Sequence, residues 1–264
     1  GLGLVALRTL QEGTRILVDR CLRDPRDHPR VADLAPVGGS LEDKFNLNRM
    51  SDGAGGSVIF ARMSRVNHAC DPNAEQSHCQ GVVVLIALRE IAGGEEIVIN
   101  YTNGENDTCT EIAHKTPEMY RQIRRDKWGI ICPEGCRCFD QARLAIVEEA
   151  RNLDKIIGES LARGDGYEAL VAAERLLAIL DTLHASPISK ARINYDAFQA
   201  AIMRHETVGR AEEFIREAHA LNVLIGRPDS PEALEMKEYR DTPERHPNYL
   251  RAEHRRGSEL APTP

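Results

Sequence analysis

The run Asn67-His68-Ala69-Cys70-Asp71-Pro72-Asn73 puts a carboxamide, an imidazole and a thiol within four residues. Asp71-Pro72-Asn73 is good turn chemistry. A bare turn explains neither the Asn-His pair nor the adjacent cysteine. Cys132, Cys136 and Cys138 form a second cluster, with gaps of three residues and then one. The chain holds seven cysteines, an odd number, whereas a disulfide framework uses an even set spread through a shorter chain. Close thiol spacing points to zinc, which takes four Cys or His ligands in a closed tetrahedron. Cys21, Cys79 and Cys109 read as ordinary buried or loop cysteines. Tyr101 ends the apolar run Glu96-Ile97-Val98-Ile99-Asn100; taken alone it is a packed aromatic at a strand end.

These groups need elements to position them. Leu2, Leu4 and Ala6, and then Thr14 to Val18, read as short strands joined by a turn at Glu12-Gly13. Residues 23 to 58 carry Pro25, Pro29, Pro36 and the glycines at 38, 39, 53, 55 and 56, so loops are expected there, with one short helix near Leu41 to Met50. Val82 to Leu88 and Glu96 to Tyr101 are strands, separated by a turn at Ala92-Gly93-Gly94. From Pro117 the pattern is helical up to the cysteine cluster, and it resumes at Gln141. Helices then follow to Gly164-Asp165-Gly166, over Leu170 to Leu183, from Pro187 to Met203 and over Ala211 to Leu224, with a further start at Ser230-Pro231-Glu232. Loose similarity between the helices starting near Glu168 and Ala211 has the character of a tetratricopeptide-like array. Pro243, Pro247 and the tail after Gly257 read as irregular.

Composition excludes several classes. With 42% hydrophobic and 28% charged residues the chain has the make-up of a soluble globular protein, and no apolar run approaches the roughly 18 residues of a membrane span. A net charge of -7 disfavours broad binding to nucleic acid, whose phosphates reward clustered Lys and Arg. The local basic run Arg121 to Lys127 reads as a solvated helix face. Gly1 opens the chain without a methionine, which reads as a trimmed N-terminus. Asn106-Asp107-Thr108 matches a glycosylation sequon but reads as an ordinary polar loop.

Taken together, the pieces resemble the SET-domain protein lysine methyltransferases. That family carries Asn-His-Ser-Cys-x-Pro-Asn, and this chain differs only by Ala69 at the serine. Gly94-Glu95-Glu96 through Tyr101 resembles its Gly-Glu-Glu-Leu strand ending in an essential tyrosine. Gly1-Leu2-Gly3-Leu4, about 65 residues before the Asn-His pair, resembles its N-terminal Gly-x-Gly strand. The resemblance implies S-adenosylmethionine as methyl donor. Gly1, Leu2 and Gly3 would present backbone groups to its methionine end, Asn67 and His68 would hold its amine and adenine, and Trp128 would cover the adenine or line the lysine channel, or be a core residue. Tyr101 would be the catalytic residue, beside the sulfur and the target nitrogen. It further implies a structural zinc held by Cys70 with Cys132, Cys136 and Cys138, although the family's usual order has the short gap first. The Asn-His segment would thread beneath the loop after the tyrosine strand, a pseudoknot.

The expected fold is α+β: a β-rich SET fold with pseudoknot and zinc-binding post-SET segment, then an all-α, tetratricopeptide-like C-terminal region. Expected boundaries are 1–114 for the SET domain, 115–140 for the post-SET helix and cysteine cluster, 141–245 for the helical domain and 246–264 for an irregular tail. A SET half before a helical half is similar to the fungal-type SET-and-MYND group, but between Asp19 and Phe60 only Cys21 and His28 could serve a MYND finger, so that finger is absent. The implied partner is a protein presenting a lysine, histone or other, in the cytoplasm or nucleus, with no direct nucleic acid and no membrane. The alternative function is a catalytically silent SET-fold protein that binds partners through its helical half.

Overall fold

The computed structural model describes residues 3–22, 31–36, 38–52, 54–79, 81–102, 117–226 and 228–251. The chain divides into two compact units, Gly1–Leu144 and Ala145–Pro264.

The first unit contains strands β1 (Leu4–Val5), β2 (Arg15–Arg20), β3 (Met50–Ser51), β4 (Ser57–Val58), β5 (Asn67–His68), β6 (Ala74–Cys79), β7 (Val82–Ala87) and β8 (Glu96–Ile99), with helices α1 (Leu41–Asn48) and α2 (Pro117–Trp128). β2, β7 and β6 form one antiparallel sheet, β1, β8 and β5 a second, and β3 with β4 a small hairpin. β7 is central and buried from Val83 to Ala87, which is why its sequence is a continuous apolar run rather than an alternating one. β1 and β2 are not a hairpin: β1 pairs β8, whereas β2 pairs β7. β6 was not expected from its sequence, Ala-Glu-Gln-Ser-His-Cys. It is held by ladder partners along all of β7, from Ala74 opposite Ala87 to Cys79 opposite Val82. Gly94 supplies the left-handed residue, φ 88°, of the turn into β8.

β5 pairs β8 in parallel, Asn67 opposite Val98 and His68 opposite Ile99, and the Ala69 N–H continues the ladder to the Ile99 carbonyl at 2.9 Å. A parallel pair needs a long crossover, here the β6–β7 hairpin. Phe60, Met63, Leu85, Ile97 and Ile99 share one buried cluster, so β7 and β8 contribute to the same core. Buried Asp19 accepts from the Arg62 and Met63 N–H groups at 2.7 and 3.1 Å, capping the short 3-10 turn Met63–Arg65 that leads into β5. The loop 103–116, where the expected pseudoknot would be closed, lies outside the described residues, as do Gly1, Leu2, Cys109 and the sequon.

The second unit is helical: α3 (Gln141–Arg163) enters it, followed by α4 (Gly166–Thr182), α5 (Pro187–Ala201), α6 (Val208–Ile225) and α7 (Pro231–Asp241). Their starts are chemically marked. Asp165 caps α4 through the Glu168 N–H, and Ser186 and Ser230 cap α5 and α7, each with Pro at the first turn. The core is rich in alanine, with Ala169, Ala173, Ala197, Ala201 and Ala218 all buried around Phe198, so helices approach closely. Gly166 shows how closely: a Cβ there would lie 2.7 Å from the Ala200 carbonyl. After α7 comes a short 3-10 turn, Pro243–Arg245, and buried His246 and partly buried Tyr249 pack on this unit; residues 252–264 lie outside the description. Among the described residues no helix is long and apolar enough to cross a membrane.

Two expectations follow. Asn73 is 1% exposed and makes three side-chain hydrogen bonds with Glu95, Glu96 and Val98 at the start of β8, so Asn73→Ala should lower the stability of the first unit by about 3 kcal/mol through the orphaned partners, measured as an earlier denaturant transition. Burial drives the His246 pKa down to about 4. The Asn248 N–H donates to Nδ1 at 3.1 Å, so the neutral ring carries its proton on Nε2, facing Tyr195 Oη at 3.2 Å. The folded state then binds fewer protons than the unfolded one between pH 6.5 and 4, and stability falls as pH falls through that window. Thermal melts across it should show a slope that His246→Phe reduces by about one proton.

Candidate functional site

The site is built at the paired ends of β5 and β8. Asn67 Nδ2 donates to Glu96 Oε1 at 2.6 Å, and Gly3 lies against both: a Cβ at Gly3 would sit 2.1 Å from that carboxylate oxygen and 2.8 Å from the Asn67 amide nitrogen. Only glycine fits there without moving both side chains. This is a cradle of polar groups fronted by bare backbone.

Tyr101 is gripped twice by the segment entering β5. Its backbone N–H donates to His68 Nδ1 at 3.0 Å, and its hydroxyl donates to the Val66 carbonyl at 2.7 Å. Burial, then nearby Glu96, pushes the phenol up to about 12, so it is neutral across the physiological range. Burial, then the Arg124 charge, drives His68 down to about 4. Because Nδ1 accepts, neutral His68 carries its proton on Nε2, which faces Cys70 Sγ at 3.4 Å. The Tyr101 ring lies between those of His68 and Trp128, with centroids 5.3 and 5.2 Å away. Trp128 ends α2 and donates its indole N–H to the Leu47 carbonyl of α1 at 3.3 Å, so α1 braces the aromatic stack. Lys127 Nζ lies 4.5 Å from the Trp128 ring centroid.

Four thiols converge beside this stack. The sulfurs of Cys70, Cys132, Cys136 and Cys138 all lie within 4.8 Å of one another, with Cys70 to Cys132 at 3.5 Å and Cys136 to Cys138 at 3.3 Å. Four sulfurs around zinc at ~2.3 Å would be ~3.8 Å apart, inside the observed range. The three-then-one spacing therefore does not prevent a four-thiol set. Burial pushes the Cys70 thiol well above its ordinary range, with Cys132 adding to it; burial, then Cys136, pushes Cys138 up to about 11. At Cys132 burial acts upward but is outweighed by hydrogen bonds from Cys70 and Cys138 and by the Arg124 charge, leaving its thiol below the ordinary range. A thiophilic dication would supply the charge that lets the other thiols ionise.

Of the residues picked from sequence, Gly3, Asn67, His68, Tyr101 and Trp128 lie around one strand junction, and all four cysteines come together next to it. Gly1 and Leu2 lie outside the described residues. Sequence reasoning missed two groups. Asn73 does more than turn the chain: its Nδ2 donates to Glu95 Oε1 at 2.9 Å and the Glu96 carbonyl at 2.8 Å, while its Oδ1 accepts from the Val98 N–H at 2.9 Å. Glu95 also accepts from Arg89 at 2.7 Å and from the Ala92 N–H, which with Asn73 hold its carboxyl down at about 2. The second is Arg124. The run Arg121 to Lys127 is not uniformly a solvated face, because Arg124 is 3% exposed. Spacing could have found it, since Tyr120, Arg124 and Trp128 recur every four residues on one helix face.

Residues 1–102 match the family model of the SET domain, and this part of the chain is a β-rich SET domain. The histone-lysine N-methyltransferase SET5 of Meyerozyma guilliermondii is 32% identical over 104 residues, 38% of this chain and 18% of that protein. SET5 of Scheffersomyces stipitis is 31% identical over 105 residues, again 38% and 18%, and SET5 of Eremothecium gossypii 28% over 89 residues, 34% and 15%. The matched stretch thus spans under a fifth of each of these relatives. SET domains use S-adenosylmethionine.

The thiol set is testable directly. The purified chain is expected to hold one equivalent of zinc by elemental analysis, and cobalt substitution should give thiolate charge-transfer bands. Cys70→Ser should lose the metal along with Cys136→Ser, while Cys21→Ser keeps it. Acidification should release it, because protons compete for the ligands.

Proposed function

We propose that this chain is an S-adenosylmethionine-dependent protein-lysine N-methyltransferase. The observation that carries the reading is the convergence of Gly3, Asn67, His68 and Tyr101 at the β5–β8 junction of a matched SET domain. Under this reading Gly1, Leu2 and Gly3 present backbone to the methionine end of the methyl donor, Asn67 and His68 hold its amine and adenine, and Trp128 covers it. The Gly3 cradle fits such a role, since a side chain there would fill the space in front of Asn67. When bound, the donor supplies an electrophilic methyl on a positively charged sulfur.

The protein's own task is to deliver a neutral amine in line. A free lysine, with a pKa of roughly 10.4, is almost wholly protonated at neutral pH. Burial in a narrow apolar channel beside positive charge favours the neutral amine on both counts. Tyr101, held neutral with its proton committed to the Val66 carbonyl, has hydroxyl lone pairs left to orient that amine. It acts by position and dipole rather than as a general base. Ala69 in place of the family serine is compatible with this role, because its contribution to the ladder is a backbone N–H. Cys70, Cys132, Cys136 and Cys138 hold a structural zinc with no open coordination position. The substrate is a lysine-bearing protein; since the similar fungal proteins are named histone-lysine methyltransferases, histones are the first to try, and a nuclear location accords with them.

Calorimetry should detect binding of S-adenosylmethionine, and labelled donor with core histones and protein arrays should give transfer to lysine. Tyr101→Phe should cut turnover on the order of 100-fold, the usual scale for one preorganised polar contact in a dry site, while donor affinity changes far less. Absence of donor binding by the folded chain would sink the reading.

A further inference from the structure

Arg124 is almost fully buried in α2, yet among the described residues no carboxylate lies within ion-pair distance of it. Its Nε is buried and finds no hydrogen-bond partner among them. A buried cation needs a counter-charge. The groups it does meet are Cys132 Sγ, 3.9 Å from Nη2, and Thr102 Oγ1, 3.2 Å from Nη1. The Thr102 hydroxyl donates in turn to Asn100 Oδ1 at 2.6 Å, and the Thr102 N–H donates to the same oxygen at 3.0 Å. One guanidinium therefore connects a thiol of the cluster to the two residues that flank Tyr101.

We infer that Arg124 is a positioning residue whose guanidinium fastens the metal-loaded thiolate cluster, through Cys132, to Thr102, and so couples metal occupancy to the placement of Tyr101. A dication on four thiolates leaves two negative charges in a partly buried site, and the guanidinium offsets one of them. The same cation would be uncompensated beside neutral thiols, so Arg124 and the loaded cluster stabilise each other. Planarity makes the link directional: an arginine fork reaches two acceptors at fixed geometry, whereas a lysine ammonium keeps the charge but cannot hold the same pair. The metal part of this inference stands apart from the proposed reaction; the effect on turnover rests on it.

The full-length, zinc-loaded chain separates these roles. Chelator-driven metal release is followed with a metallochromic indicator, and the order around Tyr101 through the emission of Trp128, the chain's single tryptophan. Arg124→Gln should speed release about 10- to 100-fold, the scale of losing an outer-shell partner. Arg124→Lys should restore release to within a few-fold of wild type. Thr102→Val should release metal at the wild-type rate. Both Arg124→Lys and Thr102→Val should largely abolish the change in Trp128 emission that metal removal causes in wild type, and should lower kcat with little change in donor KM. Equal release from the Gln and Lys variants would reduce Arg124 to packing. A wild-type release rate in Arg124→Gln, or an unaltered Trp128 response in Thr102→Val, would overturn the coupling. Should Arg124→Gln fail to fold, the Lys and Val variants still decide it. Release and emission need no methyl transfer, so a failure of the enzymatic reading would leave them interpretable.

Discussion

The first unit depends on one buried carboxamide. Asn73 is the last residue of the Asn-His-Ala-Cys-Asp-Pro-Asn run, and its side chain replaces the strand partner that the start of β8 would otherwise lack. It takes the Val98 N–H, gives to the Glu96 carbonyl, and holds Glu95, while its own carbonyl accepts from the Leu88 N–H at 2.9 Å. A buried amide satisfied on both donors and acceptor costs little, whereas any slip of β8 by one residue would orphan all three. Register between β5 and β8 is thus fixed by polar contacts in a pairing too short to fix itself by ladder bonds.

That register decides the chemistry. His68 opposite Ile99 places the imidazole two residues from Tyr101, within reach of its N–H, and the hydroxyl of the same tyrosine returns to Val66. Moving β8 by one residue would turn successive side chains to opposite faces and carry Tyr101 away from both anchors. The motif therefore works as a unit: Asn67 and His68 line the junction, Ala69 extends the ladder, Cys70 faces the thiol cluster, and Asn73 locks the strand against which the others are aligned.

Elements whose apolar spacing is strong were legible in the sequence. β7 is a run of valine, leucine and isoleucine, and Pro187 and Ser230-Pro231 marked two helix starts of the second unit, whereas α4 begins at Gly166, four residues before the expected Leu170. β6 was not, because only Ala74 and Ser77 among its characterised side chains are buried and neither is a large apolar residue; its place is dictated by β7. β1 and β2 looked like neighbours because a turn joins them, but their partners come from β8 and β7, a long-range choice that local pattern does not encode. Around the site, residue identity revealed Asn67, His68 and the cysteines, while Asn73 was hidden by turn chemistry and Arg124 by the charge of its neighbours. In each case local pattern assigned a polar side chain to a turn or to a solvated face, whereas partners elsewhere in the chain bury it.

A metal suits the segment after α2. Among residues 129–140 none is buried, and Ile131 is 73% exposed, so the hydrophobic effect gives this stretch almost nothing to fold around. Beyond local backbone turns its ties are few: Arg124 Nη2 lies 3.9 Å from Cys132 Sγ, Arg121 reaches the Cys138 carbonyl at 3.1 Å and its guanidinium lies 4.3 Å from the Phe139 ring centroid, and Arg137 pairs with Asp71 at 2.6 Å. The last is a half-exposed ion pair, of a kind worth at most about 1 kcal/mol. Ordering twelve backbone residues costs on the order of 1 kcal/mol each, far more than these ties return. Four thiols drawn together from positions 70 and 132 to 138 supply the missing term if they bind an ion, because metal-binding free energy then becomes folding free energy. Cys70, fixed next to His68 by the strand register, is the ligand that makes this clip report on the site rather than merely close a loop.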